Sequence, residues 1–266
     1  MVAAAAWSSG TVPVTGGRLA YHRTGGGGPA LVLSHGLTDN GLCWSRLAAA
    51  LAPEFDIVML DARGHGESSR VSSAPQDPAR DIAEAIAALK LETPIVMGHS
   101  VGARATAAYA NAHPGRVARV ILEDPPFLPL ADAAATEARR AKFRDQVARF
   151  HSTTEAEIKA QGKAASPGWH DEDFPAWVTA KRQVDPAAFP TYATPWQRQI
   201  DCIDVPILLI RGDAKLGSLV TPALAAEVMA LNPNIRAVEI HGAGHNVRRE
   251  NFPDYLAAVL AFLREA

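Results

Sequence analysis

Gly98-His99-Ser100-Val101-Gly102 sets a serine between two glycines in the pattern G-x-S-x-G. A serine hydroxyl is a poor nucleophile at neutral pH until a base takes its proton, and the resulting imidazolium can then protonate a leaving group. The glycines suit that chemistry, because a nucleophilic serine on a strained strand-to-helix turn leaves no room for flanking side chains. Five residues alone are a weak signal. Pro94-Ile95-Val96-Met97 reads as the strand before them and Ala103 to Asn111 as the helix after them, which supplies the context the motif needs. The same turn puts the Val101 N–H at a helix N-terminus, aimed where negative charge would develop on a carbonyl oxygen, as an oxyanion donor.

Positioning such a serine requires a sheet and its helices. Short apolar runs recur at Ala30 to Leu33, Ile57 to Leu60, Pro94 to Met97, Val117 to Leu122, Ile207 to Ile210 and Ala237 to Ile240. Runs that are apolar on both faces suit strands buried in a parallel sheet. Between them lie helical signals: Asp77-Pro78 followed by Ile82, Ile86 and Leu89, then Thr221-Pro222 followed by Leu224, Val228 and Leu231, and a closing stripe of Leu256, Val259, Leu260 and Leu263. Val12-Pro13-Val14 and Leu19-Ala20-Tyr21 flank Gly16-Gly17 as an edge hairpin. The run Gly25 to Gly28 is read as a flexible connection and not a phosphate loop, since no helix start or lysine follows it.

From Pro125 to about Ile200 the alternation fails. Phe143, Val147 and Phe150 sit at helical spacing there, and Thr154 to Glu157 resembles a capping box. The expected fold is α/β, a mostly parallel central sheet with helices on both faces and a helical cap insertion. Residues 1–124 and 201–266 would form the core domain and residues 125–200 the cap. Trp169, Trp177, Trp196, Phe127, Phe174, Phe189 and Tyr192 fall in the insertion, where they either form its own core or roof an apolar pocket.

Ser34-His35-Gly36, Asp61-Ala62-Arg63-Gly64-His65-Gly66-Glu67-Ser68, the Ser100 turn and Gly242-Ala243-Gly244-His245 together resemble the α/β-hydrolase superfamily over nearly the whole chain. The resemblance implies that His245, in the loop after the last strand, is the general base, with His241 a distant second. It also places the second oxyanion amide on Leu37, after the Ala30 to Leu33 strand. His35 is then structural, as are Asp61 and Arg63, while His65, His113, His151 and His170 are read as loop or surface residues. Asp39 and Asn40 either touch substrate or belong to a surface loop.

The acid departs from the commoner family pattern. Three residues after Gly212, where members often carry it, stands Lys215, which cannot accept the imidazole N–H. Haloalkane dehalogenases and fungal zearalenone lactonases place the acid after the preceding strand, and Asp124 matches that position. Asp124 is therefore favoured over Asp213, which follows its glycine directly, with Glu123 third. The order Ser100, Asp124, His245 keeps the family's succession of nucleophile, acid and base.

The resemblance leads to an expected hydrolysis of a carboxylic ester or lactone with an apolar moiety, through an acyl-enzyme on Ser100. An amidase or a carbon–carbon bond hydrolase could use the same residues, and a small-molecule receptor of the same fold is the non-enzymatic alternative. Serine in place of aspartate at position 100 argues against dehalogenase or epoxide hydrolase chemistry. No cofactor or metal is expected, and no Cys/His cluster has zinc-ligand spacing. A net charge of -2, from 26 Lys+Arg and 28 Asp+Glu, gives no reason to expect nucleic acid. Cys43 and Cys202 are too few for a disulfide framework, and residues 1–7 lack the basic and long apolar regions of a signal peptide. With no segment long enough to cross a bilayer, the expectation is a cytoplasmic protein whose partner is a small, apolar substrate and not a membrane. The oligomeric state is left open.

Overall fold

The computed structural model describes residues 7–71 and 76–265. The reading of residues 1–6 as no signal peptide lies outside them. The chain opens with the expected hairpin, β1 (Ser8–Val14) and β2 (Gly17–Arg23), turning at Gly16, whose φ of 79° suits glycine. There follow β3 (Ala30–Ser34), α1 (Ser45–Leu51), β4 (Asp56–Leu60), α2 (Pro78–Ala88), β5 (Ile95–His99), α3 (Val101–Ala112) and β6 (Val120–Glu123). Three helices come next: α4 (Ala133–Ser152), α5 (Glu155–Ala165) and α6 (Phe174–Gln183). The chain closes with β7 (Ile207–Arg211), α7 (Pro222–Leu231), β8 (Ile235–Glu239), α8 (Val247–Glu250) and α9 (Phe252–Leu263).

The eight strands form one sheet in the order β1-β2-β4-β3-β5-β6-β7-β8. β1, β2 and β4 pair antiparallel, and every later pairing is parallel. Strand period explains why the apolar runs are continuous. Val32, Val58, Val96, Val120 and Leu209 face α2, α3 and α7, whereas Leu33, Met59, Met97, Ile121 and Ile210 face α1 and α9. Both faces of the sheet are thus covered.

Two of the parallel strands start two or more residues from their expected limits. β6 begins at Val120 instead of Val117, because its ladder with β5 starts at Val96↔Val120, one residue beyond the edge of β5 at Ile95. β8 starts at Ile235, two residues early, where it pairs Ile207. Helix starts follow their caps: Asp77 accepts from the Arg80 N–H, Thr221 from that of Leu224, and Thr154 with Glu157 closes a reciprocal capping box. Among the described residues no helix is long and apolar enough to cross a membrane.

Candidate active site

Strand register decides which residues meet. His99 and Glu123 are partners at the C-terminal ends of β5 and β6, so the next residues, Ser100 and Asp124, leave the sheet side by side. The Ser100 N–H donates to the Glu123 carbonyl at 2.9 Å, and that of Asp124 to the Ile210 carbonyl at 2.8 Å. Both residues hold a positive φ, 54° and 43°, which turns each side chain above the sheet edge. A Cβ on Gly98 would meet the Gly102 carbonyl at 2.5 Å, and one on Gly102 would strike the carbonyls of Ser34 and His35. That crowding accounts for both glycines of the motif.

His245 bridges the two. Its Nε2 lies 3.1 Å from Ser100 Oγ, and its Nδ1 lies 2.6 Å from Asp124 Oδ2. Asp124 is wholly buried and accepts three further hydrogen bonds: from Ser218 Oγ at 2.6 Å, Leu219 N–H at 2.8 Å and Val220 N–H at 2.9 Å. The histidine loop rests on the loop after β7, where a Cβ on Gly212 would overlap the carbonyls of Ala243 and Gly244. His99 pins the same loop by donating from Nε2 to the His245 carbonyl at 3.1 Å. Burial, reinforced by Arg248, lowers the His99 pKa well below the ordinary range, so it stays neutral.

The other candidates go elsewhere. The Asp213 carboxylate caps a short turn, accepting from the Lys215 N–H at 2.8 Å. Glu123 is buried behind the sheet edge, where it holds Arg248 and accepts from Tyr255 Oη at 3.0 Å. His241 has a side chain 88% exposed.

Leu37 lies in the turn after β3, and among the described residues neither its N–H nor that of Val101 donates to a protein acceptor. Two histidines fix that turn. His35 donates from Nδ1 to the Gly36 carbonyl at 2.8 Å and accepts the Ala62 N–H on Nε2 at 2.9 Å; burial lowers its pKa to about 4. His65 donates from Nε2 to the Leu37 carbonyl at 2.7 Å and is 5% exposed, which corrects its reading as a loop or surface residue.

Asp39 and Asn40 are also buried, so the surface-loop alternative fails for both. Asp39 binds Lys181, Arg248 and Arg249, while Asn40 donates to Gln183 Oε1 at 2.9 Å. Asp61 accepts from the N–H groups of Gly41 and Glu67, and Arg63 pairs with Asp81. These are turn-forming bonds.

Comparison with known proteins gives the family. A family model described as the alpha/beta hydrolase family matches residues 31–259. The chain belongs to that family. As an α/β hydrolase it is an enzyme, and its activity is hydrolytic. It is 30% identical over 265 residues to N-formylmaleamate deformylase of Pseudomonas putida, covering 96% of each chain. It is 27% identical over 257 residues to 2-(acetamidomethylene)succinate hydrolase of Mesorhizobium japonicum, covering 91% of this chain and 90% of that one. The crystal structure of E-2-(acetamidomethylene)succinate hydrolase superposes with a TM-score of 0.80 at 24% identity, over 97% of this chain and 100% of the other.

Within this hydrolase the helical segment between β6 and β7 is tied to the loop after β3. Lys181 of α6 donates to the Thr38 carbonyl at 2.8 Å and to its hydroxyl at 2.7 Å. The aromatics divide. Trp169, Phe174 and Trp177 pack on one another, and Phe127 stacks on Trp196 at 5.1 Å in the main core. Phe189 and Tyr192 instead line cavities. One cavity, of about 490 Å³, lies among Leu37, Phe143, Phe189, Arg139, Lys142 and Arg149. A second, of about 310 Å³, lies among Val101, Arg104, Pro126, Phe189 and Tyr192. A third, of about 70 Å³, runs under Gly36, Leu37, Val101 and Gly102. Leu37 thus borders the first and third of these cavities, and Val101 the second and third.

Proposed function

We propose that the chain hydrolyses a carboxylic acyl bond, of an ester, lactone or amide, through an acyl-enzyme on Ser100. The observation that supports this best is the unbroken hydrogen-bond line from Ser100 Oγ through both nitrogens of His245 to Asp124. In this reading His245 Nε2 takes the Ser100 proton as Oγ attacks the substrate carbonyl. Asp124 holds the Nδ1 proton and stabilises the imidazolium. The Leu37 and Val101 N–H groups donate hydrogen bonds to the carbonyl oxygen as charge develops on it, a role worth about 10²–10³ in rate per donor. Collapse expels the alcohol or amine with the proton from His245. Water, deprotonated by the same nitrogen, then cleaves the acyl-serine.

Two relatives that align over nearly the whole chain are named for an N-formyl and an acetamido compound, and this favours an amide over the ester or lactone. Carbon–carbon cleavage would use the same triad. The assembled line of hydrogen bonds is a reason to prefer turnover to a receptor role. Residues 125–200 would act as the cap on a core made of 1–124 and 201–266. Cys43 and Cys202 are both free thiols, which fits a reducing, cytoplasmic setting.

The test is turnover of matched methyl esters, lactones and N-acyl amides by the wild type and Ser100→Ala. The variant is expected to lose at least about 10⁴-fold in kcat while remaining folded. Full turnover by Ser100→Ala on every substrate would overturn the proposal.

A further inference from the structure

Five arginine and lysine side chains are buried among the described residues: Arg63, Arg104, Lys181, Arg248 and Arg249. Four of them meet carboxylates, at Asp81, Asp39 and Glu123. Arg104, 3% exposed, meets none. Its partners are neutral: Gln199 Oε1 at 2.8 Å, the Pro126 carbonyl at 3.1 Å and the Thr194 carbonyl at 3.2 Å. Those bonds engage three of the five guanidinium N–H groups, leaving one on each terminal nitrogen. A buried cation without an anion is costly to hold and ordinarily has a use.

The neighbouring group is also incomplete. The Tyr192 ring lies 3.6 Å from the Arg104 guanidinium carbon, and the Tyr192 hydroxyl is buried with no hydrogen-bond partner among the described residues. Burial pushes that phenol up to about 12, so at neutral pH it keeps its proton and can donate. Both residues line the cavity of about 310 Å³ that Val101 also borders. Arg104 stands one helical turn beyond the nucleophile, its N–H donating to the Ser100 carbonyl at 3.1 Å. Arg139 lines both this cavity and its neighbour, where Lys142 and Arg149 outnumber Asp145. The adjoining cavity is therefore lined by a cationic surplus.

We infer that Arg104 and Tyr192 form a subsite for a carboxylate of the substrate, so that the bond offered to Ser100 belongs to a molecule with a second, free carboxylate group. The inference rests on the acyl-hydrolase reading of Ser100 and narrows its substrate class from a wholly apolar acyl compound to a half-ester or half-amide of a dicarboxylic acid. The two free guanidinium N–H groups and the phenol proton supply the donors that a carboxylate accepts.

The experiment compares monomethyl with dimethyl esters of succinate, glutarate and adipate, the second of each pair being the neutral counterpart. Wild type should favour at least one monomethyl ester by about tenfold or more in kcat/KM. In Arg104→Gln that ratio should fall by at least tenfold, with partial recovery in Arg104→Lys. Tyr192→Phe keeps the stacked ring, so it tests the hydroxyl without disturbing the packing; the ratio should fall about threefold or more. A guanidinium that merely tied α3 to residues 126 and 194 would lower both esters alike and leave the ratio fixed.

Succinate and glutarate binding to Ser100→Ala by calorimetry separates this inference from the hydrolase reading. If no ester is turned over but both dicarboxylates bind, and the added Arg104→Gln abolishes binding, the subsite stands and the hydrolytic reading falls. If esters are turned over with a ratio near one in the wild type and in Arg104→Gln, the subsite is wrong and the hydrolase stands. Absence of both turnover and dicarboxylate binding overturns both.

Discussion

Asp124 and Asp39 are both buried carboxylates next to the candidate nucleophile's surroundings, yet their partners differ in kind. Asp124 faces a hydroxyl, two backbone amides and an imidazole. Asp39 faces three cations, Lys181, Arg248 and Arg249, from α6 and α8. Neutral dipoles hold a carboxylate in place without cancelling its charge, which suits Asp124 to the part of triad acid proposed for it. Three cations cancel that charge, and what remains is a clamp joining the turn after β3 to two helices. Position near the site does not by itself suit an acid to catalysis; the charge left uncancelled on it matters as well.

The sharpest test of that contrast is Asp124→Asn. An amide NH₂ facing His245 Nδ1 would push the ring proton onto Nε2, where it blocks acceptance of the serine proton. We expect kcat to fall by about 10³–10⁴-fold with the fold retained. Asp213→Asn, which changes only a turn cap, should remain within about twofold in the same assay. Equal losses in the two variants would erase the distinction between the loops after β6 and β7.

The covalent pattern of the site is local and therefore readable. Gly98, Ser100 and Gly102 lie within five residues, and the strand before them shows its burial as an unbroken apolar run. Asp124 is legible through resemblance: Lys215 stands at the commoner acid position, families that carry the acid after the preceding strand point to Asp124, and Asp213 stays open on sequence alone. The supports of the site are not local. Ser218 lies 94 residues from Asp124 and Lys181 142 from Asp39. A lone serine or lysine in an irregular stretch has no period or motif that announces such a contact. The burial of His65 is hidden from the sequence for a related reason: its partner is the Leu37 carbonyl, a main-chain atom that side-chain types cannot disclose. The limits of β6 shifted because a strand ends where its neighbour's ladder ends, and that is a property of the pair.

Asp39→Asn tests the other side of the contrast, through stability. Removing the anion strands cations in the interior and should cost about 3–5 kcal/mol, measured by urea unfolding near neutral pH. The pH dependence has a definite sign. Burial alone would raise the Asp39 pKa, but Arg249, Lys181 and Arg248 override it and hold it well below the ordinary 3.8. A depressed folded pKa contributes stability that is present above the unfolded value and is lost as pH falls through the folded one. The wild type should therefore lose stability on acidification below about pH 4, and Asp39→Asn should show a shallower acid limb. An unchanged unfolding free energy in this variant would mean the three cations find other partners, and the clamp would be an incidental contact.

The smallest expected effect bears on how Asp124 is held. Ser218 donates to Asp124 Oδ1 at 2.6 Å and accepts the Gly212 N–H at 3.2 Å, so it links the acid to the glycine on which the histidine loop rests. Ser218→Ala removes one of three non-histidine donors and leaves the two backbone amides in place. A single hydrogen bond to a charged group sets the scale, and kcat/KM should fall by about tenfold. A stability change alone cannot identify the role, because any buried hydroxyl can matter to folding. The double variant Ser218→Ala/Asp124→Asn separates the two. If Ser218 is a positioning residue acting through the carboxylate, its loss should be nearly silent in kcat once Asp124 is already asparagine. A further tenfold loss in that background would show that Ser218 reaches the reaction by another route, through Gly212 and the loop carrying His245.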